Sequence, residues 1–389
     1  MANLLRAGDS RVGFAELFFD LVFVFAITQV SHFLLYHFTP RGAAEAAVVF
    51  LAVWWVWIYT TWVLNRLDPD APAVRAMLFA LMLGGLYMSM AIPEAYGERG
   101  LVFALAFVAM QLGRTAFMYR AGRGDPVVRR TYQRILIWLA AAGAFWIAGG
   151  LAPPEHRLAI WAVALAVDYA GPVMAYAVPG LGRDATTNWT VRGGHIAERC
   201  GLFVIIALGE TLLVSGATFA GMAWDARATA AFVANFAVSV GMWWVYFHIG
   251  HRRGTHQIEH AADPGRIARR SFTYAHIPIV AGVVLAAVGA ERAIAHPGDA
   301  GTWGDVAVLA GGSALFVAGN AWFKWLSSGR FPLSHAVGIA LLAAAGAAGL
   351  AAPLWLTSAL VAAALLAVGV SEDRAAGRER GADGAEGAA

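Results

Sequence analysis

The sequence predicts an all-α polytopic membrane protein of about twelve transmembrane helices, arranged as two parallel six-helix repeats. Three observations carry this prediction. The 389 residues are 59% hydrophobic and 14% charged, well below the roughly 25% charge that covers a water-soluble domain. Apolar runs of about twenty residues recur along the chain, each long enough to cross a bilayer. Short phrases of the first half also return in the second half, in the same order.

The runs are continuous rather than alternating, which argues against a single-chain β-barrel. Predicted spans cover residues 14–38, 44–65, 74–92, 100–121, 132–150, 156–178, 196–220, 228–249, 271–291, 303–326, 333–351 and 354–371. With a cytoplasmic N-terminus, this map puts 22 of the 28 Lys and Arg on the inner side and 5 on the outer side, with Arg114 inside a span. That bias matches the positive-inside rule, so both termini are expected in the cytoplasm and the protein in the inner membrane. It also accounts for a pI near 9.2 without any nucleic-acid partner. The single cysteine, Cys200, excludes an intrachain disulfide.

The repeat rests on four ordered matches. Arg11-Val12-Gly13-Phe14 returns as Arg199-Cys200-Gly201-Leu202, and Trp54-Trp55-Val56 as Trp243-Trp244-Val245. Asp68-Pro69 returns as Asp263-Pro264, and Arg123 as Arg330. An even number of spans per unit gives both units the same orientation, related by an axis along the membrane normal. The expected organisation is a cytoplasmic N-terminus at 1–12, a first repeat at 13–180 and a second at 181–371. A Gly-, Ala- and charge-rich cytoplasmic tail at 372–389 has the composition of a disordered segment. The tryptophans of "WWVWIYTTW" and "WWVYFH" lie near span ends and read as an interfacial aromatic belt.

Ionisable residues inside spans are the candidates for chemistry, because hydrocarbon makes them costly and they face protein or water. Asp20 lies about one and a half turns inside the first span, and Glu16 one turn nearer its inner end, on the same face. The seventh span opens with His195, Glu198 and Arg199 and carries Glu210 near its middle. His276 lies in the ninth span. Arg114 in the fourth and Asp168 in the sixth are secondary candidates. Read structurally, the same groups pair and pin helices together, Glu16 or Asp20 with Arg199 and Asp168 with Arg114.

His248, His251, His256 and His260 fall in "HIGHRRGTHQIEH". Their spacing suits metal ligation, but no cysteine accompanies them in a basic loop. The expectation is no metal and no cofactor.

The phrases "ELFFDLVFVFAITQVSH", "HIAERCGLFVIIALGET", "WWVYF" and "YAHIPIVAG" resemble the low temperature requirement protein A (LtrA) family of bacterial membrane proteins, over roughly residues 11 to 371. By that resemblance Glu16, Asp20, His195, Glu198, Arg199, Glu210 and His276 fall on the family's characteristic polar positions. His248 stands where an acidic residue is expected. The family name records growth in the cold and implies no chemistry.

Three functional readings remain. One is a transporter or channel for an ion or small solute, with the acids at the repeat interface. Another is a non-transporting membrane scaffold or stress-adaptation protein in which the same charges are structural pairs. A membrane enzyme acting on lipid is the third, and it would need a nucleophile or metal that only the histidine loop offers. The lipid bilayer and that ion or solute are the expected partners, nucleic acid is not, and the oligomeric state is open.

Overall fold

The computed structural model describes residues 4, 12–186, 189, 191–247 and 263–386, and leaves aside the side chains of 328 and 376–386. The histidine segment 248–262, with the expectation that it binds no metal, lies outside the described residues.

The described chain is helical, joined by short turns. The helices are α1 (Phe14–Tyr36), α2 (Pro40–Leu64), α3 (Pro72–Ala91), α4 (Gly100–Ala121), α5 (Pro126–Leu151), α6 (Pro154–Val173), α7 (Gly193–Ala220) and α8 (Ala226–Phe247). They are followed by α9 (Pro264–Ala295), α10 (Trp303–Ser327), α11 (Leu333–Gly349) and α12 (Leu354–Glu386). α9 contains a π-helical turn at Arg269–Tyr274, and α10 another at Ala307–Gly311. α12 continues past its apolar part into the tail that composition marks as disordered.

Local chemistry sets the starts. Proline occupies the opening turn of α2, α3, α5 and α6, where its missing N–H costs nothing. Thr39 caps α2 by accepting from the Gly42 N–H at 3.0 Å. Asp125 caps α5 by accepting from Val127 N at 2.9 Å and Val128 N at 3.2 Å. Each cap satisfies amides that a membrane would otherwise leave bare.

Among the described residues, ten helices are long and apolar enough to cross a membrane. α6, which carries Glu155, Arg157 and Asp168, and the 17-residue α11 fall outside that set.

The chain divides into two compact units, Met1–Arg199 with Ile258–Ala268, and Cys200–Gln257 with Arg269–Ala389. The division falls inside α7. In the first unit α1 packs on α2 and α3, α4 on α3 and α5, α6 on α5, and α2 against α4 and α6. α2 is the most enclosed, with Trp54, Trp55 and Trp57 fully buried. The aromatic-belt expectation therefore fails for this stretch: neighbouring helices, not the bilayer interface, surround these rings.

In the second unit α10 packs on α9 and α11, α12 on α11, and α8 on α9, α10 and α12. Small residues permit close approach there, as in membrane bundles generally. A Cβ on Gly282 of α9 would lie 2.5 Å from Phe316 N and 2.6 Å from Gly312 O of α10. Gly282→Ala therefore forces two backbones apart and should cost at least about 1–3 kcal/mol, the range of core overpacking. Gly216→Ala, with nothing within 4 Å, should leave stability unchanged or slightly raised. Thermal unfolding in detergent compares the two, and equal midpoints would sink the packing argument.

Candidate functional site

Glu16, Asp20, His195 and Arg199 meet inside the first unit, every one fully buried. Glu16 is the third residue of α1. Its Oε2 accepts from the Gly13 N–H at 2.8 Å and so caps the helix that carries it. Its Oε1 accepts from His195 Nε2 at 2.8 Å and from Arg199 Nη1 at 3.1 Å. One turn further along α1, Asp20 Oδ1 accepts from Arg199 Nη2 at 2.7 Å and from the Trp57 indole at 2.8 Å. The Arg199 guanidinium also lies 5.7 Å from the Trp57 ring centroid and 5.9 Å from that of Phe19, cation–π distances.

The protonation of His195 follows from its neighbour. The Arg192 backbone N–H donates to Asn65 Oδ1 at 2.9 Å, which fixes the amide's orientation. Asn65 Nδ2 is then the donor to Arg192 O at 2.9 Å and to His195 Nδ1 at 3.2 Å. Nδ1 is therefore an acceptor, and His195 is the neutral tautomer that donates from Nε2 to Glu16. Two carboxylates face one guanidinium and one neutral imidazole, so the four buried groups carry a net charge of about −1 when both acids are ionised. Asp20 Oδ2 and Arg199 Nε are buried with no partner among the described residues.

Glu198 Oε2 accepts from the Val12 N–H at 3.2 Å. Glu210 belongs to the second unit and is buried, with no hydrogen bond or ion pair to another described residue. His276, also in the second unit, donates from Nδ1 to Ser271 O at 2.8 Å and accepts at Nε2 from the Tyr246 hydroxyl, also at 2.8 Å.

No ion pair joins Arg114 to Asp168 among the described residues, which corrects that expectation. Arg114 instead donates to Val56 O and Thr60 Oγ1, each at 3.0 Å, and to Gln111. Asp168 accepts from the Trp146 indole at 2.8 Å, and its Oδ1 is left unpartnered. Neutral acceptors on α2 and on Arg114's own helix occupy the guanidinium before the acid can.

Sequence reasoning missed several participants. Trp57 and Asn65 position the acids and the imidazole, and the polar Thr60, Thr61 and Asn65 within an apolar run were the available sign that α2 faces protein. Tyr246 escaped notice for the same reason as Trp57. In the second unit Lys324, His335 and Glu372 form a network with Ser334: His335 Nδ1 lies 3.2 Å from Glu372 Oε1, and Lys324 Nζ 3.4 Å from His335 Nε2, with Lys324 also paired to Glu372. No group of three or more His, Cys, Asp or Glu among the described residues is placed to hold a metal ion.

The family description "Bacterial low temperature requirement A protein (LtrA)" matches residues 11–370. The chain belongs to the LtrA family. It is 44% identical over 338 residues to an uncharacterized protein of Rhizobium meliloti (strain 1021), covering 86% of this chain and 82% of that one. No solved structure matches it significantly. This LtrA member is thus a multi-pass bacterial membrane protein whose characteristic phrases in α1 and α7 supply the two sides of the buried centre.

The geometry ranks three substitutions. Arg199→Gln strands two buried carboxylates and should cost about 3–5 kcal/mol, the range for breaking a buried pair. Asp20→Asn leaves Glu16 balanced by Arg199 and should cost about 1 kcal/mol, the value of one hydrogen bond. The double change should recover part of the Arg199→Gln loss. Melting temperatures of the three proteins check the order; a larger loss for Asp20→Asn than for Arg199→Gln would contradict the charge count.

Proposed function

We propose that this LtrA protein is a transporter or channel for an ion or small solute, and that the Glu16–Asp20–His195–Arg199 centre handles the charge that moves. The observation that carries this is Asp20 Oδ2, a fully buried carboxylate oxygen with no partner among the described residues, since a buried carboxylate that lacks a full set of partners calls for a proton or cation. Glu16 accepts from three donors, whereas Asp20 keeps one oxygen unpartnered among the described residues, so this reading assigns the change of charge to Asp20. The protein acts on no covalent bond in this reading, needs no cofactor, and has the lipid bilayer and the carried solute as its partners.

The reading includes the topology. All twelve helices span the inner membrane as two parallel six-helix repeats, with both termini cytoplasmic. The basic-residue bias supports the orientation. The packing supports the repeat, since the pairings α3–α4, α4–α5, α5–α6, α2–α4 and α2–α6 recur as α9–α10, α10–α11, α11–α12, α8–α10 and α8–α12. The matched Trp-Trp-Val phrases also align Trp57 with Tyr246, and each donates a hydrogen bond to a buried ionisable side chain, Asp20 or His276.

A second reading is a non-transporting scaffold or stress-adaptation protein. The observation favouring it is the closure of the centre: both acids are fully buried and Arg199 contacts each.

Two experiments test the proposal. Proteoliposomes holding an internal pH dye, assayed across a panel of cations and small solutes, should show uptake with the native protein. Asp20→Asn should fold with a near-native melting temperature and lose at least about tenfold in rate, as removal of an essential charge does in proton-transfer steps. Flux absent for the native protein across the panel favours the scaffold; native flux that is unaltered in Asp20→Asn would overturn the assignment of the moving charge to Asp20. For the topology, reporter fusions after Arg130 and after Arg292 should report opposite sides of the membrane; the same side for both would refute the map.

A further inference from the structure

The far end of α1 carries a feature that the buried centre does not use. His37 follows α1, and at 1.5 Å per residue it lies about 25 Å along the helix from Asp20. There a cavity of about 260 Å³ opens in the first unit, lined by Phe33, His37, Arg41, Glu45, Glu94 and Tyr96 among others.

Its wall is rich in acceptors. Glu45 is more than nine-tenths buried at 7% exposure. Its Oε1 accepts from Arg41 Nε at 2.9 Å, while Oε2 has no partner among the described residues. The Glu94 carboxylate lies over Gly97, also without a partner among the described residues. His37 donates from Nδ1 to Phe33 O at 3.0 Å. The Tyr96 hydroxyl is directed to Glu45 O at 3.4 Å, and burial holds its pKa well above the usual phenol range, so it stays a donor.

The lining therefore holds two carboxylates and one guanidinium, and that guanidinium is already engaged by Glu45. Arg157 lies behind the wall. It donates to the carbonyls of Ala95, Gly97, Gly149, Gly150 and Ala152, so its donors fix the loop. Aromatic surface completes the cavity: the Phe33 ring stacks on His37 at 4.4 Å between centroids and sits 6.1 Å from that of Tyr96.

The acceptors are not grouped to hold one metal ion. They surround a space that fits a small molecule, with carboxylates for N–H donors and aromatic rings for a carbon skeleton near a positive charge. The geometry points to a binding site for a small primary organic ammonium ion, held by Glu94 and Glu45 against Phe33 and Tyr96. It is independent of the transport reading.

Calorimetry on the full chain in nanodiscs tests it. The titrants are n-butylammonium chloride, sodium chloride as the ionic control and sodium butyrate as the anionic counterpart, each corrected with empty nanodiscs. The expected result is saturable binding of n-butylammonium only. Glu94→Gln, at an exposed position, should weaken it at least tenfold with an unchanged melting temperature. No saturable n-butylammonium binding by the native protein overturns the assignment. So does butyrate binding in its place, which would mark an anion site at Arg41, and so does native affinity in Glu94→Gln.

Discussion

One guanidinium, that of Arg199, stands between Glu16 and Asp20, and the arrangement of the first unit around it follows from that fact. A helix with two acids one turn apart is unfavourable in hydrocarbon unless a cation accompanies it. Arg199 supplies that cation from α7, and its planar fork reaches both carboxylates at once, which a lysine ammonium would not do with the same geometry. Glu16 in turn caps α1, so a single carboxylate sets where α1 begins and what it touches on α7. Trp57 adds α2 through Asp20. In a bilayer the hydrophobic effect does not drive helices together, so these directional bonds take over part of the task of specifying partners.

The helical membrane fold was legible because span length and apolarity are one-dimensional properties. The acids of α1 and the Arg199 partner were legible too, since a charge inside an apolar run has to be matched. What escaped depended on which helix faces are covered. Trp54, Trp55 and Trp57 read as markers of the interface, where tryptophan is common, yet they lie seven to ten residues before the end of α2 and all are fully buried. Arg114 and Asp168 carry opposite charges on neighbouring stretches, but pairing depends on side-chain direction, and α2 offers Arg114 a carbonyl and a hydroxyl first.

α2 thus serves two polar centres. It donates from Trp57 to Asp20 and accepts at Val56 O and Thr60 from Arg114, and Asn65 just beyond its end fixes the tautomer of His195. A helix that must satisfy polar groups around its circumference cannot rotate or shift by a residue without leaving a buried donor or acceptor bare, at about 1–3 kcal/mol each. The enclosure of α2 and its polar contacts are therefore one constraint seen twice.

Three of the buried arginines of the first unit, Arg157, Arg114 and Arg199, show three ways to hold a cation away from water. Arg157 lies among five carbonyls, three of them from the C-terminal end of α5 and the residue beyond it, where the helix dipole is negative. Arg114 lies among neutral acceptors and the Tyr59 ring, 5.2 Å from its centroid. Arg199 alone has carboxylates as hydrogen-bond partners, and two of them. Carbonyls, amides and hydroxyls hold a fixed dipole over the whole physiological range, so the first two settings are static. A carboxylate can change its charge, and where two face one cation the second has no compelling reason to remain ionised. Of the three, the Arg199 centre is the one whose net charge can change without a helix moving, which is what the proposed charge-handling role requires.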